Sequence, residues 1–80
     1  LNLADEEKAL FFAKKALALD PELWLGHYAL GRLYSTFKQT DFQKSEYHLE
    51  RAMALQPEND DARVYYAAVK TFQGKADFQI

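Results

Sequence analysis

Two histidines, His27 and His48, are the residues of this chain best suited to proton transfer or metal binding. Neither carries a local partner set. A di-metal site inside a helical bundle needs Glu-x-x-His on two helices, and here Trp24 and Ser45 hold the positions three before His27 and His48. A surface or packed histidine is therefore the expected state of each. Ser35, Ser45 and the threonines lack a neighbouring base or a strained elbow to activate a hydroxyl. Gly26 and Gly31 fall inside a helical segment, so no Gly-rich phosphate loop is present. The acid pairs Glu6-Glu7 and Asp60-Asp61 stand at helix starts, where the helix dipole accounts for them. With no cysteine there is neither thiol chemistry nor a disulfide. The residues thus predict no catalytic site, no metal and no cofactor.

The elements that would position these side chains are helices. A first segment over about 4–18, capped by Asp5 or Asn2, carries Ala9, Phe12, Ala13, Ala16 and Leu17 at three-four spacing. Asp20-Pro21-Glu22 reads as an N-cap, a first-turn proline and a dipole-favoured acid, opening a second helix that runs to about Phe37. Thr40 or Asp41 caps a third helix ending before Pro57, and Thr40 with Gln43 has capping-box spacing. Asn59 or Asp60 caps a fourth that closes near Gly74, with Asp77-Phe78-Gln79 as the first turn of a fifth. Links of a few residues force successive helices antiparallel. A glycine inside a helix costs about 1 kcal/mol relative to Ala, so Gly26 and Gly31 in one helix predict close backbone packing.

The segments recur. Asp5, Asp41 and Asp77 stand at intervals of 36 residues, and Ala16-Leu17-Ala18-Leu19-Asp20-Pro21 returns as Ala52-Met53-Ala54-Leu55-Gln56-Pro57. A self-similar unit of this length predicts a stacked repeat protein, which builds surfaces rather than active sites. The 80 residues make one domain near the low end for a core of its own. Hydrophobic residues at 49% and aromatics at 15% are too many for disorder. A net charge of −2 with interspersed signs gives no footprint for nucleic acid. No apolar run spans a bilayer, and no signal-peptide pattern opens the chain. The first residue is Leu1 rather than Met, as in an excised fragment, so the compartment stays open, with the cytoplasm as the default.

Leu30-Gly31-x-x-Tyr34, then Ser45-x-x-x-Leu49-x-x-Ala52-x-x-x-x-Pro57, resembles the tetratricopeptide repeat pattern L-G-x-x-Y…A-x-x-x-F…A-x-x-x-x-P. Ala9, Ala13, Ala16 and Pro21 match the second half of a preceding unit, and Ala62, Tyr66-Ala67 and Gly74 the first half of a following one. His27 stands where Trp is usual, Ser45 where a small Ala is usual, and Lys70 where Tyr is usual. The unit is two residues longer than the usual 34, with the excess placed in the turn around Lys38 to Thr40. The resemblance implies an all-α fold of antiparallel helix-turn-helix repeats stacked as a short superhelix. Residues 1–21 would be the second half of a repeat, 22–57 a full repeat, and 58–80 the first half of another.

In the family the first helix of each pair lines a concave, partner-binding groove. Carried onto this chain, the groove residues are Leu25, Tyr28, Arg32, Ser35 and Thr36, followed by Asp61, Val64, Ala68, Thr71 and Phe72, with Tyr65 within reach. An Arg among aromatics suits a docked protein or peptide segment. Alternatively, Tyr28 and Phe72 cover the core edge, and Arg32 with Asp61 forms an exposed ion pair worth about 0–1 kcal/mol. One subgroup of the family grips a C-terminal carboxylate with Lys, Asn and Arg, but only Arg32 is available here, which argues against that mode. A second expectation concerns Phe11, Phe12 and Phe78. These apolar residues near the ends of the stack would support self-association, making the chain an assembly or scaffold element.

Overall fold

Helices begin in this chain where an Asx side chain or a turn supplies the first acceptors, and they pack where residues are small. The computed structural model describes the backbone over residues 3–36 and 40–78, and side-chain surroundings over 5–36 and 40–74. Four helices occupy that range: α1 (Leu3–Leu19), α2 (Trp24–Leu33), α3 (Phe42–Leu55) and α4 (Asp61–Phe78). No strand is present among the described residues. The all-α expectation holds.

Several helix ends differ from the expected ones, each for a local reason. Asp20 does not cap α2. Its carboxylate accepts from the Glu22 amide at 3.1 Å and its carbonyl from the Leu23 amide at 3.1 Å, closing a turn before the helix starts. Leu23 then holds the N-cap position without a side-chain bond. At the other end α2 stops at Leu33, because the Ser35 and Thr36 hydroxyls donate to the Arg32 and Leu33 carbonyls at 2.7 and 2.8 Å. Phe37, where the helix was expected to end, lies outside the described residues. Asp41 is the cap of α3, accepting from the Lys44 amide at 3.2 Å. The Thr40 hydroxyl donates to the Thr36 carbonyl, and the N-cap of α3 is Asp41 rather than Thr40. Asn59 accepts from the Asp61 amide at 2.9 Å and starts α4, while the Asp60 carboxylate pairs with Arg63 at 2.6 Å.

Helix α4 runs through Gly74 to Phe78. Gly74 is not a stop, since no described glycine adopts a positive φ. Asp77 and Phe78 therefore belong to the last turn of α4 rather than to a fifth helix. The 36-residue identity of Asp41 and Asp77 carries no common structure, one being a cap and the other helical.

Helix α2 is the hub, lying against α1, α3 and α4, while α3 also packs on α4. Its glycines permit this. A Cβ on Gly31 would come within 2.5 Å of Leu49 Cγ and Cδ2, and one on Gly26 within 2.9 Å of Leu17. Gly31 thus admits α3, and Gly26 admits α1. The Ser45 hydroxyl, fully buried, donates to the Gly31 carbonyl at 2.6 Å, so both groups are paired inside the contact. Leu49, Ala52, Ala62 and Val69 form one core cluster, flanked by Trp24, Tyr28, Tyr65 and Tyr66. Ala13, Leu30 and Tyr34 form a second between α1 and α2. Leu49 has no exposed surface, so its burial contributes roughly 1.5–3 kcal/mol. On the rim, Tyr66 donates to Glu50 at 2.9 Å and Lys70 pairs with Glu46 at 3.2 Å, tying α4 to α3.

Candidate functional site

The chain of contacts that shapes the candidate site starts at Tyr28. Its ring, carried on α2 and half-buried against the α3–α4 core, meets the Tyr65 ring of α4 edge-on at 5.7 Å. The two rings form a corner, and Arg32 lies over it. Its guanidinium carbon stands 5.6 Å from the Tyr28 ring centre and 4.8 Å from that of Tyr65. Two cation–π contacts hold an otherwise mobile side chain in one place. Burial pushes the Tyr28 phenol above its ordinary pKa, Tyr65 and Asp61 add to the rise, and Arg32 opposes it.

Beyond Arg32 an open cavity of about 440 Å³ is lined by Ala9 of α1, Ala29, Arg32 and Leu33 of α2, Ser35 and Thr36 of the following turn, and Tyr65 of α4. Its walls are small and apolar. Among the described residues that line it, Arg32 is the one charged side chain. The Ser35 and Thr36 hydroxyls each donate to a carbonyl at the end of α2, keeping the mouth of the cavity in a fixed shape.

Of the groove residues expected from the sequence, Arg32, Ser35, Thr36 and Tyr65 meet in this cavity, with Tyr28 directly beneath Arg32. Leu25, Asp61, Val64, Ala68 and Phe72 do not line it. Leu25, Val64 and Phe72 are exposed apolar side chains, Asp61 is exposed beside Tyr28, and Ala68 is half-buried. The ion pair between Arg32 and Asp61 does not form, since the aromatic corner takes the guanidinium instead. Ala9, Ala29 and Leu33 were missed. Ala29 had a readable signal: it stands 36 residues before Tyr65, itself expected within reach of the groove.

Phe11 and Phe12 are exposed on α1, their rings edge-to-face at 5.4 Å and their flanks bordered by Glu7 and Lys8. Lys15 reaches over the Phe11 ring at 6.0 Å. The Phe78 side chain lies outside the described residues.

The histidines come together, which the sequence did not reveal. His27 is buried, and its Nε2 lies 2.8 Å from the Pro21 carbonyl, so that nitrogen carries the hydrogen. In the neutral ring Nδ1 is then a bare acceptor. It faces His48 Nδ1 at 3.0 Å, so His48 donates across the gap. Tyr34 stacks on the His48 ring at 5.9 Å. Burial, then the proximity of His27 and Lys44, lower the His48 pKa to about 4. The pair links the turn before α2 to α3 as a hydrogen-bonded packing element. Among the described residues, no group of three or more His, Cys, Asp or Glu gathers as a metal site, and no helix is long and apolar enough to cross a membrane.

In comparisons with known proteins, the chain matches no family model, no curated protein and no solved structure.

Proposed function

We propose that this chain is a non-catalytic protein-interaction module: a short tetratricopeptide-like stack that receives a protein segment in the cavity between α1, α2 and α4. One observation carries the reading. Arg32 is fixed over two tyrosine rings at the edge of an apolar cavity, which pre-pays the entropy of ordering a long side chain before a partner arrives. Arg and Tyr are the residue types that dominate binding hot spots. The hub position of α2, with α3 on one side and α4 beside it, supports the stacked-repeat frame. The reading is tested by selecting binders from a displayed library of random 12-residue peptides. Tyr65→Ala and Arg32→Ala should each weaken the selected peptides about tenfold or more, near 1.4 kcal/mol. Tyr47→Ala, on the exposed face of α3, should leave them unchanged. Peptides that bind all three variants equally would defeat the groove assignment.

A second reading rests on Phe11 and Phe12. Phe12 is 62% exposed and Phe11 59%, an apolar pair that suits a scaffold or assembly element.

A further inference from the structure

The 36-residue register makes the cavity more specific than an open groove. Helix α2 seats on α3 and α4, and the register relates α3 to α1 and α4 to α2. Shifting the seat of α2 back by one unit generates a place on α1 and α2 for one more helix of the α2/α4 type. That place includes the cavity lined by Ala9, Ala29 and Leu33. We infer that its occupant is α4 of a second copy of this chain, so that copies stack head to tail. The inference rests on the reading of the cavity as a protein-docking surface.

The residue equivalences support this occupant. Within one copy, Ser45 meets Gly31, His48 meets His27 and Tyr34, and Tyr28 meets Tyr65. One unit along, the same contacts between copies would bring Ala9 to Ala67, Phe12 to Arg63 and Lys70, and Val64 to Ala29. The close approach at Ser45 and Gly31 needs small residues, and both equivalents are alanines. Phe12 would pack against the aliphatic stems of Arg63 and Lys70, whose charged ends are already paired with Asp60 and Glu46. Val64, 65% exposed, would fill the wall left open at Ala29. Ala9, Phe12, Arg63, Val64, Ala67 and Lys70 are all exposed in the single chain, so both halves of the interface are available. The contact is heterologous: two different faces meet, and the rotation need not close.

The asymmetry gives a decisive experiment, because the chain has no cysteine of its own. The 80-residue chain carrying Ala9→Cys and the same chain carrying Ala67→Cys, each with a different mass tag, are mixed under mild oxidation. Head-to-tail seating places the two positions in disulfide range. The mixed disulfide should then exceed either like-with-like dimer by about tenfold, through the raised effective concentration of the pair. Ala67→Glu, at an exposed site compatible with folding, should shift the untagged chain to monomer in sedimentation at hundreds of micromolar. Mixed and like dimers in near-random proportion, or a wild-type chain that stays monomeric at that concentration, would overturn the second-copy occupant. If peptide binding still depended on Arg32 and Tyr65 in such a monomer, the docking surface would stand and only its occupant would be wrong.

Discussion

Gly31 and Gly26 show how much the close helix contacts depend on single atoms. A methyl group at position 31 would overlap Leu49, whose side chain is fully enclosed and whose backbone nitrogen lies only 3.3 Å away. At position 26 it would meet Leu17, which is half-buried and can swing aside. Gly31→Ala is therefore expected to lower stability by roughly 1–3 kcal/mol through overpacking. Gly26→Ala should cost less, because the gain in helix propensity of up to about 1 kcal/mol offsets the displacement of Leu17. Thermal melting of the two variants side by side checks the order, and equal melting temperatures would contradict it. The histidine pair gives a second test. The folded pKa of His48, about 4, lies below the ordinary 6.5, so the unfolded chain takes up the proton first as pH falls. The stabilising contribution is complete above about pH 6.5 and is lost as pH drops towards 4. His48 is half-exposed and faces His27, Tyr34, Lys44 and Tyr47. Solvent screening therefore trims the loss to roughly 1–2 kcal/mol. His48→Asn keeps a donor near the Nδ1 position without the titration. Its melting temperature should fall less than that of the parent chain between pH 7 and 4.5, and parallel curves would contradict the assignment.

At the scale of elements, the three-four stripes and the Asx residues made the helices legible. Asp41, Asn59, Ser45 and Leu49 do what their types and spacing suggest. The ends of α2 and α4 were not legible, for a physical reason. Asp20 can serve a turn as well as a cap, and here its carboxylate and its carbonyl both close the turn before α2. Gly74 ends a helix only where the backbone turns left-handed, and here it stays helical. A Cβ at Gly74 would meet nothing within 4 Å. Gly74→Ala is thus expected to raise stability by about 0.5–1 kcal/mol, by removing backbone freedom from the unfolded chain. A lowered melting point would show that α4 breaks there. Asp41→Ala should cost about 0.5–2 kcal/mol through loss of the cap on the Lys44 amide, measured by urea unfolding. An effect within a few tenths of a kcal/mol would assign the start of α3 to packing alone.

Across the whole molecule, the 36-residue register relates α1 to α3 and α2 to α4. The tetratricopeptide resemblance put Arg32 of α2 and Tyr65 of α4 toward one groove, and the two side chains meet. It did not show that the guanidinium would settle on rings rather than on Asp61, because that choice depends on the distance between α2 and α4 and not on spacing along either. Nor did it show Ala9 closing the cavity, since a lone alanine on a helix face carries no pattern. The central claim is that the cavity bounded by α1, α2 and α4 is where a protein segment docks. The most direct measurement is chemical-shift mapping of backbone amides in the ¹⁵N-labelled chain, titrated with the tightest selected 12-residue peptide. The predicted result is that the largest perturbations fall on Ala9, Ala29, Leu33, Ser35 and Tyr65, with α3 amides near Tyr47 and Glu50 unmoved. Perturbations concentrated on that face of α3, with the cavity amides silent, would contradict the claim.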